Sequence, residues 1–120
     1  MRSNLGKFLR KLRIDNDEYL KNMAEKLDVS ISLLSAVENG VKKASTDLVD
    51  KIINAYSLTD EQIDKLLMYV MEANNEVNLD LSKLNEDKID LTYRFARNVS
   101  NLSDNDISLI REILKEADKR

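Results

Sequence analysis

The chain of 120 residues has no cysteine, no histidine, no tryptophan and no proline, and its only glycines are Gly6 and Gly40. Without thiols or imidazoles there can be no disulfide framework, thiolate nucleophile, Cys/His zinc site or serine–histidine catalysis. A cysteine-free composition suits a reducing compartment, and a cytoplasmic location is expected. With so few loop-forming residues, helices should dominate and connections should be short. Long apolar runs are missing too. The longest is Leu66–Met71, far short of the about 20 residues a spanning helix needs, so no membrane association is expected. The first residues pass straight into an amphipathic pattern, and no secretory leader is expected.

What is present points to a folded protein. Apolar residues make up 42% of the chain, enough for a core, and the length fits one all-helical domain or a small domain with a helical appendage. The formal net charge is −3, but it is unevenly spread. Residues 1–58 hold ten Lys/Arg against eight Asp/Glu, whereas residues 59–120 hold nine against fourteen. The first fourteen residues carry Arg2, Lys7, Arg10, Lys11 and Arg13 and no acid. Two readings of this asymmetry stay open: a phosphate-facing front half, or solvated helix faces with a chance bias.

Apolar spacing predicts the elements. A first helix runs from Ser3 or Asn4 to Ile14 on Leu5, Phe8, Leu9 and Leu12. A second covers about Tyr19 to Leu27, with Leu20, Met23, Ala24 and Leu27 inward. After a short turn at Asp28-Val29, Ser30 is placed to cap a third helix reaching Asn39, with Leu34 and Val37 inward, and Gly40 suits a left-handed end. A fourth helix spans about Thr46 to Tyr56. Thr59 and Gln62 form a capping box for a fifth, about Asp60 to Asn74. Val77, Leu79 and Leu81 then alternate with polar residues, the signal of a short extended segment. Two more amphipathic helices follow, about Glu86–Asn101 and Asp104–Lys119. The expected fold is all-α: five helices, a short extended segment and two C-terminal helices. The expected division is a domain over residues 1–75 and a helical segment over 76–120 that dimerises or binds a partner.

The informative stretch is Leu20 to Gly40. Two short helices flank a very short turn, and the small Ala24 sits where the following helix must cross closely. Leu27, Val29, Leu34 and Val37 are spaced to fill the angle between them. On Ala24, Val29-Ser30 and above all Val37-Glu38-Asn39-Gly40, residues 5–67 resemble the Cro-like phage-repressor superfamily, also called the xenobiotic-response-element (XRE) family of helix-turn-helix regulators. The resemblance implies a third helix lying in the major groove of double-stranded DNA. It implies base-facing positions at Ile31, Ser32, Ser35 and Ala36, and phosphate contacts from Ser30, Asn39, Lys42 and Lys43. It also implies a structural ion pair between Arg13 and Glu38. Two positions depart from the family pattern: Leu20 stands where a phosphate-binding Gln usually opens the second helix, and Asp28 replaces a turn glycine. The helix offers no Arg, Lys, Gln or Asn before Asn39, so bidentate reading of guanine or adenine is not available from it.

The function expected is a sequence-specific transcriptional regulator, a repressor acting as a homodimer, with no cofactor and no metal. Two alternatives stay open: the antitoxin of a toxin–antitoxin pair, holding a basic toxin through its acidic back half, and a protein-interaction module that has lost DNA binding. Catalysis is not expected. The carboxylate groups Asp15/Asp17/Glu18 and Asp60/Glu61/Asp64 fall at helix ends, where they favour the helix dipole, and no phosphate loop or nucleophile elbow is present.

Overall fold

The computed structural model describes residues 3–120, so Arg2 of the leading basic segment lies outside it. Among the described residues there are seven α-helices and no strand: α1 (Asn4–Asp15), α2 (Leu20–Lys26), α3 (Ile31–Glu38), α4 (Thr46–Tyr56), α5 (Asp60–Asn74), α6 (Glu86–Asn98) and α7 (Asp104–Asp118), with a 3₁₀ turn at Val99–Asn101. The chain divides into two compact units, Met1–Asn78 and Leu79–Arg120.

Most helices begin on a short polar side chain that accepts a backbone N–H left without an intrahelical partner. Ser3 caps α1 through Gly6 N–H at 3.1 Å, and Ser45 caps α4 through Leu48 N–H at 3.1 Å. Thr59 and Gln62 exchange two such bonds at the start of α5 (3.2 and 2.9 Å), as do Ser103 and Asp106 at α7 (both 3.1 Å). Helix α2 differs: Tyr19 makes no side-chain cap, and only the reverse bond, Tyr19 N–H donating to Asn22 Oδ1 at 2.8 Å, is made.

In the first unit the apolar stripes converge. Leu5, Leu9 and Leu12 of α1 meet Met23 and Ala24 of α2, Leu34 and Val37 of α3, Leu48 and Ile52 of α4, and Leu66 of α5, all buried. Each large side chain so covered stabilises the fold by about 1.5–3 kcal/mol. Phe8 meets Tyr69 edge to face with centroids 6.1 Å apart, joining α1 to α5. A polar cluster closes the other end. Tyr56 donates to Glu18 Oε1 at 2.9 Å, and Lys26 Nζ stands 4.1 Å over the Tyr56 ring. Partial burial, and then the bond to Glu18, push the Tyr56 phenol up beyond its ordinary range.

The second unit is built differently. Its first residues, Leu79–Leu81, like Val77 and Asn78 before them, are neither helical nor paired. A tight turn follows, with Ser82 N–H donating to Asp80 Oδ1 at 2.9 Å and Leu84 N–H to Leu81 O at 3.0 Å. The Ser82 bonds hold the exposed Asp80 carboxyl below the usual range. Helix α6 stops at Asn98, earlier than its apolar pattern predicts. Asn98 Nδ2 donates back to Arg94 O at 2.8 Å, and the run Asn98–Asn101 tightens to a 3₁₀ turn where short polar side chains compete for the backbone. No residue of α6, the turn or α7 is buried.

Among the described residues no helix is long and apolar enough to cross a membrane, and no group of three or more acidic, His or Cys side chains is clustered for a metal ion.

Candidate nucleic-acid interface

The α2–turn–α3 angle is set by four backbone details. Leu27 ends α2, and Asp28 takes a left-handed conformation at φ 55°. An Asp tolerates that region better than most residues, so the turn closes without a glycine. Val29 N–H donates to Ala24 O at 3.0 Å, drawing the turn back onto α2. Ser30 Oγ then accepts Leu33 N–H at 3.0 Å and opens α3. The buried Ala24, Leu27, Leu34 and Val37 fill the angle.

Helix α3 is braced from behind at its far end. Arg13 of α1 and Glu38 form a buried ion pair; the second guanidinium nitrogen, Nη2, donates to Glu38 Oε2 at 3.3 Å. Arg13 Nη1 also approaches Met23 Sδ at 3.6 Å, so one guanidinium ties α1, α2 and α3. Arg13 is thereby spent inside the molecule and adds nothing to the basic surface of α1, where Lys7, Arg10 and Lys11 are exposed. The close approach of α1 to this point requires Gly6: a Cβ there would stand 2.3 Å from the Glu38 carbonyl oxygen.

The end of α3 is a Schellman motif. Gly40 is left-handed at φ 74°; Gly40 N–H donates to Val37 O at 3.2 Å and Val41 N–H to Ala36 O at 2.9 Å. The basic connector is therefore held against the helix tip. Its other end is fixed by a residue the sequence pattern did not single out. Asn74, only 5% exposed, donates to Ala44 O at 2.9 Å and accepts Ala44 N–H at 3.0 Å, replacing the strand-like partner this loop lacks. As the last residue of an amphipathic helix, thirty positions away, it carries no local motif.

On the outer side, Ile31 is 50% exposed and Ser32 is exposed, while Ser35 and Ala36 are half-buried. These four share one side of α3 by helical spacing. Ser30, Asn39, Lys42 and Lys43 are all exposed around its two ends. Besides Ser30, whose hydroxyl caps α3, two of them already have partners. Asn39 Nδ2 donates to Ser35 O at 3.0 Å, and Lys43 Nζ pairs with Glu76 Oε2 at 3.2 Å. Glu76, like Asn74, had no sequence signal pointing to the connector. Leu20, at the start of α2, is half-buried against the core, so its apolar side chain packs where a polar one would reach outward. The carboxylates weighed for catalysis are placed structurally: Asp60 and Glu61 lie in the first turn of α5, and Glu18 accepts the Tyr56 hydroxyl.

A compact helical unit that presents one braced helix beyond a tight turn is a helix-turn-helix unit, the arrangement DNA-binding regulators use to place a helix in a groove. Comparison with known families agrees: the helix-turn-helix domain family matches residues 4–66, more than half of the chain, and the chain belongs to that family. No curated protein and no solved structure matches it.

Proposed function

We propose that this protein is a Cro-like, XRE-type transcriptional repressor that binds operator DNA as a homodimer, with α3 of each copy in a major groove. The observation that carries this reading is the bracing of α3. The Arg13–Glu38 pair and the Gly6 contact hold its inner side, and Ile31 and Ser32 are left exposed with Ser35 and Ala36 half-buried beside them. Thymine methyl groups against Ile31 and Ala36, and hydroxyl contacts from Ser32 and Ser35, are the readout these residues allow. With no bidentate side chain available, specificity rests largely on DNA shape. Lys42 and Lys43, with Ser30 and Asn39, contact phosphates and set register rather than sequence. Pairing places two α3 helices about one DNA turn, roughly 34 Å, apart on an inverted repeat.

Genomic fragments selected on the purified protein at low and high salt test this. Lys42→Ala with Lys43→Ala should weaken binding to every selected fragment and lower the slope of log affinity against log salt by about two. An unchanged slope overturns the phosphate assignment. Ser32→Glu should abolish binding while the helical fold survives; retained affinity places α3 outside the groove.

The excess of acids in residues 59–120 favours a second reading, an antitoxin whose back half holds a basic toxin. A small basic protein copurifying in fixed proportion from the native host distinguishes it. The polar-poor face of α3 favours a third, an interaction module without DNA binding, and the fragment selection decides against or for it directly.

A further inference from the structure

The second unit is a pair of amphipathic helices with nothing to enclose. Along α6 and α7, exposed apolar side chains range from Ile89 at 37% to Ile113 at 69%, and only Thr92, Leu102, Ile107 and Ile110 in this stretch are half-buried. A unit of this size needs disulfides, a metal or a partner to hold a fixed structure. The chain has no cysteine, and no metal cluster exists among the described residues. Cover from another surface, of this chain or of a partner, remains.

Helix α6 carries the clearest receiving surface. Ile89, Thr92, Tyr93 and Ala96 recur at helical spacing and, with Leu81, line an open, mostly apolar groove of about 580 Å³. The charges beside it are polarised. Glu86 and Asp90 border its N-terminal end, whereas Arg97 lies one turn beyond Tyr93, its Nη1 donating to the Tyr93 hydroxyl at 3.0 Å.

We propose that this groove receives α6 of a second copy of the chain, antiparallel, across a two-fold axis near Thr92–Tyr93. This deepens the homodimer part of the reading above and rests on it, but not on DNA binding. Two features favour a second copy over a foreign helix. A two-fold antiparallel pairing brings the acidic end of each α6 beside the basic end of the other, so Glu86 and Asp90 face Arg97 twice over. It also sets the small Ala96 opposite the partner's Ile89, so that one fills what the other leaves. Asp90 already bonds Arg94 at 2.9 Å in its own helix, which leaves Glu86 to Arg97 as the pair that reads orientation.

The test is the solution mass of the full chain by sedimentation, without DNA, across a concentration series. Twice the chain mass of 13.8 kDa is expected. Tyr93→Glu should raise the dissociation constant by about a hundredfold, as for a central aromatic anchor. Glu86→Arg and Arg97→Glu, both on exposed positions that leave folding intact, should each weaken the dimer, and the two together should restore it. A monomeric wild type, including one in which these helices fold back on their own chain, overturns the proposal. A dimer indifferent to Tyr93→Glu, or charge reversals that do not compensate, overturns it equally. Binding of the same variants to a non-specific duplex at low salt is read separately, so failure of the dimer and failure of DNA binding are distinguishable.

Discussion

The two units of this molecule are made of the same material and do opposite things with it. Both consist of short, well-capped amphipathic helices with comparable apolar stripes. In the first unit the stripes of α1 to α5 meet, and Leu9, Met23, Leu34 and Leu66 have no measurable exposure. In the second, the stripes of α6 and α7 end in the open, and no residue is buried. Amphipathicity therefore says that a helix needs cover, not where the cover comes from. In the first unit, small residues sit where backbones approach one another. Gly6 and Ala24 let three helices close around one another, and α3 gains its fixed pose from that closure.

The sharpest way to break the comparison is to open the first unit at its polar brace. Glu38→Ala leaves the Arg13 guanidinium buried without a counter-charge. Unfolding in urea should show a loss of about 3–5 kcal/mol, while Arg13→Met with Glu38→Leu recovers most of it because both charges go together. An equal loss in the double variant would mean that shape, not charge, holds α1 to α3.

Next in size is a matched truncation. Leu34→Ala in the first unit should cost about 2–5 kcal/mol, the transfer term plus the cavity it leaves. Leu91→Ala in the second, where the side chain is 68% exposed, should stay within about 0.5 kcal/mol. Comparable losses at the two positions would show that the second unit is enclosed in solution to the same degree as the first.

These contrasts also mark what was legible beforehand. Helix starts were readable where a cap is a local event: Ser30 and Thr59 each bond a backbone N–H three residues on. The turn was readable because Asp28 and Gly40 sit where the backbone turns left-handed. The end of α6 was not, since its apolar spacing continues past Asn98 while the backbone tightens there. Nor was the anchoring of the connector. Asn74 and Glu76 reach Ala44 and Lys43 only after α5 has run the length of the unit, and no spacing rule links residues thirty apart. The Gly6 contact was equally hidden, because a glycine inside a helix pattern says nothing about which carbonyl approaches it.

Asn74 offers a test of that non-local anchoring. Asn74→Ala strips partners from Ala44 N–H and Ala44 O together, in a place where water is excluded. Loss of stability should be about 2 kcal/mol, within the range for orphaned buried groups. Amide exchange at Lys43–Ser45 should speed up more than exchange in α2. If exchange rises uniformly across the unit, the clamp is global glue and the connector has no separate anchor.

The smallest effect on stability carries the largest meaning for function. Lys43 and Glu76 form an exposed pair, and such pairs contribute about 0–1 kcal/mol and are screened by salt. Glu76→Gln should therefore leave the unfolding midpoint nearly unchanged. If Lys43 meets phosphate as proposed, its carboxylate partner competes with the duplex for the same ammonium. Removing that competitor should raise affinity for DNA by up to about fivefold at low salt, the equivalent of that pair energy, with the gain fading as salt rises and the pair is screened anyway. Lys43→Ala should erase the gain, because Glu76 then has nothing to withhold. Affinity that rises equally in the Lys43→Ala background would trace the effect to the overall charge of the unit and remove Lys43 from the interface.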